Sequence, residues 1–134
     1  MSAAVLLLLF AEARFGIEAD AKAYPQSTPK EALASVLKAI EARKFDYLVA
    51  QLAEPAFIDD RVKRVYDGKF EEQVDDTRAR LDAFVVKQLA RLAKEGKWKE
   101  GTSEAFVASE DAPDRAARFV KKDGRWFLRH RFDR

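Results

Sequence analysis

Arg115-Ala-Ala-Arg-Phe-Val-Lys-Lys-Asp-Gly-Arg-Trp-Phe-Leu-Arg-His-Arg-Phe132 is the stretch whose reading decides the fold. Asp123-Gly124 lies between two aromatic-rich runs, and this dipeptide favours a type I′ turn, which needs positive φ at both central residues. A hairpin closed there pairs Lys121 with Trp126, Phe119 with Leu128, Ala117 with His130 and Arg115 with Phe132. Those residues share a mainly apolar face suited to covering a core. Arg118, Val120, Lys122, Arg125, Phe127, Arg129 and Arg131 fall on the other, strongly basic face.

Ahead of the hairpin, residues 103–109 alternate, with Glu104, Phe106 and Ala108 on one face and Ala105 and Val107 on the other. Trp98 begins a short strand before them, and Glu110–Asp114 reads as a loop. Further upstream the period becomes helical. Thr28-Pro-Lys-Glu31 supplies a capping hydroxyl, a proline at the first helical position and a glutamate at the third. Leu33, Val36, Leu37 and Ile40 then form one apolar stripe, predicting a helix to about Arg43. A second helix is expected over 46–53, with Leu48, Val49 and Leu52 inward and Pro55 as its stop. Asp59 or Asp60 is read as the cap of a third helix carrying Val62, Tyr66, Phe70 and Val74. Asp75-Asp76-Thr77 is read as the cap of the longest helix, with Leu81, Phe84, Val85, Leu89 and Leu92 inward and Gly96 at its end.

The 134 residues suit one domain. A net charge of +2 provides no overall field toward a polyanion. The charge is uneven, however: residues 100–114 hold five acids and no base, and residues 115–134 hold eight bases and two acids. Complementary charges on adjacent strands are the expected reason. The absence of cysteine excludes disulfides, thiol catalysis and thiolate metal sites. Ala3–Ala11 is an apolar run too short to span a bilayer and of signal-peptide length, although no base precedes it. It is read as an export signal, with an N-terminal helix packed on the domain as the rival. Export implies a periplasmic or extracellular protein, retention a cytoplasmic one. Residues 1–23 are set apart as signal plus connector, and 24–134 as the domain.

Helices followed by an antiparallel meander imply α+β, with the helices packed on one face of a curved three- to four-stranded sheet. The Thr28-Pro-x-Glu31 opening, Ala42-Arg-Lys-Phe-Asp46, Pro55-Ala-Phe57 and the Phe119–Leu128 hairpin together resemble the nuclear transport factor 2-like superfamily, the relatives of ketosteroid isomerase and scytalone dehydratase. The resemblance spans residues 28–134 and implies a cone-shaped, cystatin-like fold. Its members include isomerases, dehydratases, binding modules and dimerisation domains, so it implies shape more than role.

An isomerase-type site needs a carboxylate base and an oxyanion-binding tyrosine in an apolar cavity. Tyr66 and Glu104 are the candidates for that pair, and His130, the single histidine, for dehydratase-type proton transfer. Each has a plainer reading: Tyr66 and His130 as packing residues, Glu104 as the cross-strand partner of an arginine. Tyr66, Phe106, Trp126 and His130 are the candidate lining of a ligand pocket. Arg118, Phe127, Arg129 and Arg131 are the candidate interface, because arginine beside an exposed aromatic is a common interface composition. No metal and no cofactor are expected, and nucleic acid is not the expected partner. The expected function is non-catalytic binding of a small apolar ligand or a protein partner, with dimerisation through the sheet. The alternative is an isomerase or dehydratase.

Overall fold

A computed structural model describes residues 12–129 of the chain. The fold is mixed α+β. A two-residue hairpin, β1 (Ala13–Arg14) and β2 (Ile17–Glu18), comes first, followed by α1 (Pro29–Glu41) and α2 (Phe45–Tyr47), which runs into a π-helical turn at Leu48–Leu52. Then come α3 (Pro55–Arg64), α4 (Phe70–Arg80), α5 (Ala83–Glu95) and the strands β3 (Lys97–Glu100), β4 (Glu104–Ser109), β5 (Ala112–Lys122) and β6 (Arg125–Leu128). The last four form one antiparallel sheet in the order β3-β4-β5-β6.

The hairpin closes where the sequence puts it. Lys121 pairs with Trp126 and Phe119 with Leu128, and Asp123 and Gly124 have φ of 51° and 80°. The expected pairs to His130 and Phe132 lie outside the described residues, as does the run Ala3–Ala11. Phe119, Leu128, Trp126 and Ala117 are buried with Ala105 and Val107 of β4, so this face of the sheet meets the helices. Helix α1 packs on β6 and α5, and α5 on β4. Leu33, Val36, Ala39, Leu89 and Leu92 fill the space between.

Helix α1 begins as its capping signal requires: Thr28 Oγ1 accepts the Glu31 N–H at 3.1 Å. The Glu31 carboxylate accepts from the Ser27 N–H at 2.9 Å, one residue earlier than a standard capping box. Several expected boundaries move. Pro55 opens α3 instead of closing the preceding helix, because its missing N–H costs nothing in a first turn. Asp59 and Asp60 therefore lie inside α3, and Asp75, Asp76 and Thr77 inside α4. The cap of α5 is Asp82, which accepts from the Val85 N–H at 2.9 Å. Phe84 then sits one position off the Val85–Leu89–Leu92 stripe and is 60% exposed, contrary to its expected core place. The loop expected over 110–114 shrinks to a tight turn, and β5 starts at Ala112.

Residues 14–23 are not a loose connector. Phe15 and Gly16 form a positive-φ turn (53° and 80°) between β1 and β2. Phe15 stacks on Phe70 at 4.4 Å between ring centres. Arg14 pairs with Asp59 at 2.7 Å and donates to the Ala50 carbonyl at 2.7 Å. This N-terminal strap belongs to the folded unit, with Tyr24 and Gln26 buried at its end.

Candidate functional site

The face of the sheet turned away from the helices carries the candidate site. Strand pairing arranges it in rows: Lys99 faces Phe106, which faces Arg118, and in the next row Glu104 faces Val120, which faces Phe127. A groove of about 280 Å³ crosses the strands here, lined in part by Lys99, Glu104, Phe106, Arg118 and Arg129. Glu104 and Arg118 are exposed, and Phe106 and Val120 are half-buried. The Arg118 guanidinium lies 5.2 Å from the centre of the Phe106 ring. Neither Arg118 nor Glu104 has an ion-pair partner among the described residues, whereas Arg129 reaches Glu54 at 3.5 Å.

The sequence-predicted site residues do not converge. Glu104 and Phe106 line the groove, but Trp126 is buried in the core on the opposite side of the sheet. Tyr66 lies beyond α3, where its hydroxyl accepts from Arg61 at 3.2 Å and the Arg61 guanidinium lies over its ring. His130 and Arg131 lie outside the described residues. Glu104 faces Val120 and not the arginine expected across the strand. Phe127, expected as an exposed interface aromatic, is 3% exposed. The Arg125 guanidinium lies 4.9 Å over its ring, and residues 53–54 run alongside β6: Ala53 bridges Leu128 and the Glu54 N–H donates to the Leu128 carbonyl at 2.8 Å.

Two of the acids of 100–114 pair with bases outside the hairpin. Arg91 of α5 pairs with Asp111 at 3.0 Å and Lys97 with Glu110 at 3.2 Å. A hydrogen bond from Ser109, then one from Arg91, holds the Asp111 carboxyl below its usual range. Arg91 is raised in turn, chiefly by its bond to Asp111.

Sequence reasoning missed a second polar cluster, at the strap. Gln51 is fully buried, and its amide nitrogen donates to the carbonyls of Ile17 at 2.7 Å and Glu12 at 2.8 Å. Arg125 donates to the side-chain oxygens of both Gln26 and Gln51 and to the Gln51 carbonyl at 3.1 Å. Gln26 in turn donates to the Trp126 carbonyl at 2.7 Å. Burial pulls the Arg125 guanidinium below its ordinary value, and its hydrogen bonds among the described residues go to the neutral oxygens of Gln26 and Gln51. Tyr47 accepts the Asp20 N–H at 2.8 Å, and burial raises its phenol. These bonds span up to 100 positions along the chain, and no local motif signals them.

Among the described residues no group of three or more His, Cys, Asp or Glu could hold a metal ion. No described helix is long and apolar enough to cross a membrane. Comparison with protein-family profiles, with curated proteins and with solved structures gives no match.

Proposed function

We propose that this protein is a protein-binding domain that works through the outer face of its sheet, and that its partner there is a second copy of itself. One observation carries the reading. Phe106 and Val120 are only half covered, and the ionic groups beside them, Arg118 and Glu104, have no ion-pair partner in the described chain. Large aromatics and arginine with apolar neighbours form the centres of protein interfaces. The mixed sign of the groove argues against a continuous polyanion, since Glu104 would face its phosphates. A small apolar ligand between sheet and helices has less support, because Phe119, Leu33 and Leu128 fill that space. The enzyme reading has less still, because Tyr66 is engaged by Arg61 and does not line the groove with Glu104.

Membership of the nuclear transport factor 2-like superfamily belongs to the same proposal and rests on the order of helices followed by an antiparallel meander. Export is proposed on the Ala3–Ala11 run alone.

Sedimentation velocity over about 1–100 µM, the range in which a modest interface is populated, tests the function. The expected result is a sedimentation coefficient that rises with concentration, and a Phe106→Glu variant that stays monomeric with an unchanged circular dichroism spectrum. A monomer across the whole range overturns the reading. So does tight, salt-sensitive binding of single-stranded nucleic acid that Phe106→Glu abolishes.

A further inference from the structure

The outer sheet face has a pattern that selects one arrangement of two copies. Glu104, Phe106, Arg118 and Val120 occupy the corners of a rectangle, because Glu104 pairs with Val120 and Phe106 with Arg118 on the same two strands. Strands about 4.8 Å apart, and same-face neighbours about 6.7 Å apart along a strand, put the Glu104–Arg118 diagonal at about 8 Å. Opposite charges occupy one diagonal and apolar side chains the other.

We infer that the domain forms an isologous face-to-face dimer in which Arg118 of each protomer meets Glu104 of its partner. A two-fold axis lying in the contact plane, perpendicular to the charged diagonal, exchanges those two positions. That one operation therefore creates two reciprocal ion pairs. Phe106 and Val120 lie close to the axis, so each meets its own copy in the centre, where apolar contact is most useful. The groove beside Phe106 gives the facing side chains room to enter. Sheets packed face to face sit about 10 Å apart, a gap that arginine and glutamate span together. Lys99, exposed in the row beyond Phe106, falls at the rim, where solvent and salt screen it from its copy.

This inference rests on the self-association proposed above, and charge reversal separates the two. In Glu104→Arg or Arg118→Glu both ion pairs become repulsions. Exposed pairs are individually weak, but each single variant turns two of them repulsive, which should raise its dimer dissociation constant by about 10- to 100-fold. An equimolar mixture of the two variants restores both pairs between unlike chains and should dimerise near the wild-type constant. The double variant Glu104→Arg/Arg118→Glu should do so alone. Sedimentation equilibrium reads all four samples, with circular dichroism as the check on folding. If a reversal does not fold, Glu104→Gln and Arg118→Gln serve in its place and should each weaken the dimer without adding charge.

Self-association unaffected by either reversal, or a mixture that stays monomeric, overturns the arrangement while leaving self-association through another surface intact. Wild type that is monomeric throughout overturns both.

Discussion

Gln51→Leu should detach the N-terminal strap and destabilise the whole domain. Gln51 is fully buried, and its side chain makes three connections: it donates to Glu12 at 2.8 Å and to Ile17 at 2.7 Å, and accepts from Arg125 at 3.1 Å. Each neutral bond contributes about 1 kcal/mol net, and the bond from a charged donor about 1.5–3 kcal/mol. Leucine keeps most of the volume, so no large cavity adds to the cost. Water can recover part of the loss at Glu12, which is exposed, and at Arg125, which is half-buried. A loss of about 3 kcal/mol remains. With a urea m-value of about 1.5 kcal/mol per molar, the unfolding midpoint should fall by about 2 M. Hydrogen exchange gives the local readout: amides of residues 17–24 should lose protection more than those of β5 in the same variant. A midpoint shift under about 0.5 M would refute the reasoning and leave Arg125 adequately held by Gln26. So would a uniform loss of protection with no bias toward the strap.

Gly124→Val should cost about 1–2 kcal/mol, since a β-branched residue at φ 80° meets the left-handed steric penalty; an unchanged denaturation midpoint would contradict this. Gly96→Ala should also destabilise, for a different reason: a Cβ there would collide with the Val107 side chain and lie 2.6 Å from the Leu92 carbonyl oxygen. Thermal unfolding of Gly96→Ala should show a lowered Tm, and the extended backbone of this cap position gives alanine no helix-propensity gain to offset the clash. The raised Tyr47 phenol is stabilising below the unfolded tyrosine value and loses that contribution as pH climbs through and above about 10. Tyr47→Phe should therefore lose about 1 kcal/mol at neutral pH, the hydrogen bond from Asp20, and show a shallower alkaline decline in stability than wild type.

How much was legible in the sequence depends on the range of the forces involved. The Asp123-Gly124 hairpin, the Thr28 cap and the alternation of β4 follow from neighbours within a few residues, and all three are present in the fold. The Lys99–Phe106–Arg118 row required strand pairing: alternation separated Phe106 from Val107 but did not say which of them faced the helices, and Phe106 was expected beside Trp126, which lies on the other face. Phe127 was misread because period-two logic puts it on the outer face but cannot foresee that a guanidinium and a neighbouring chain segment cover that end of β6. The β1–β2 hairpin was missed because phenylalanine is a poor residue for a positive-φ turn. Its stacking on Phe70, 55 positions away, compensates.

By itself, then, the sequence determined the α+β order, the hairpin register and the two alternating sets of residues along β4, because turn chemistry and side-chain periodicity act locally. It grouped Phe106 with Trp126, and only strand pairing put them on opposite faces. Only the tertiary structure decided that the strap is part of the domain, that Arg125 is held by two glutamines, and that Tyr66 and Glu104 stand apart. Those outcomes depend on contacts between segments tens of residues apart, where burial and hydrogen-bond satisfaction outweigh any local preference.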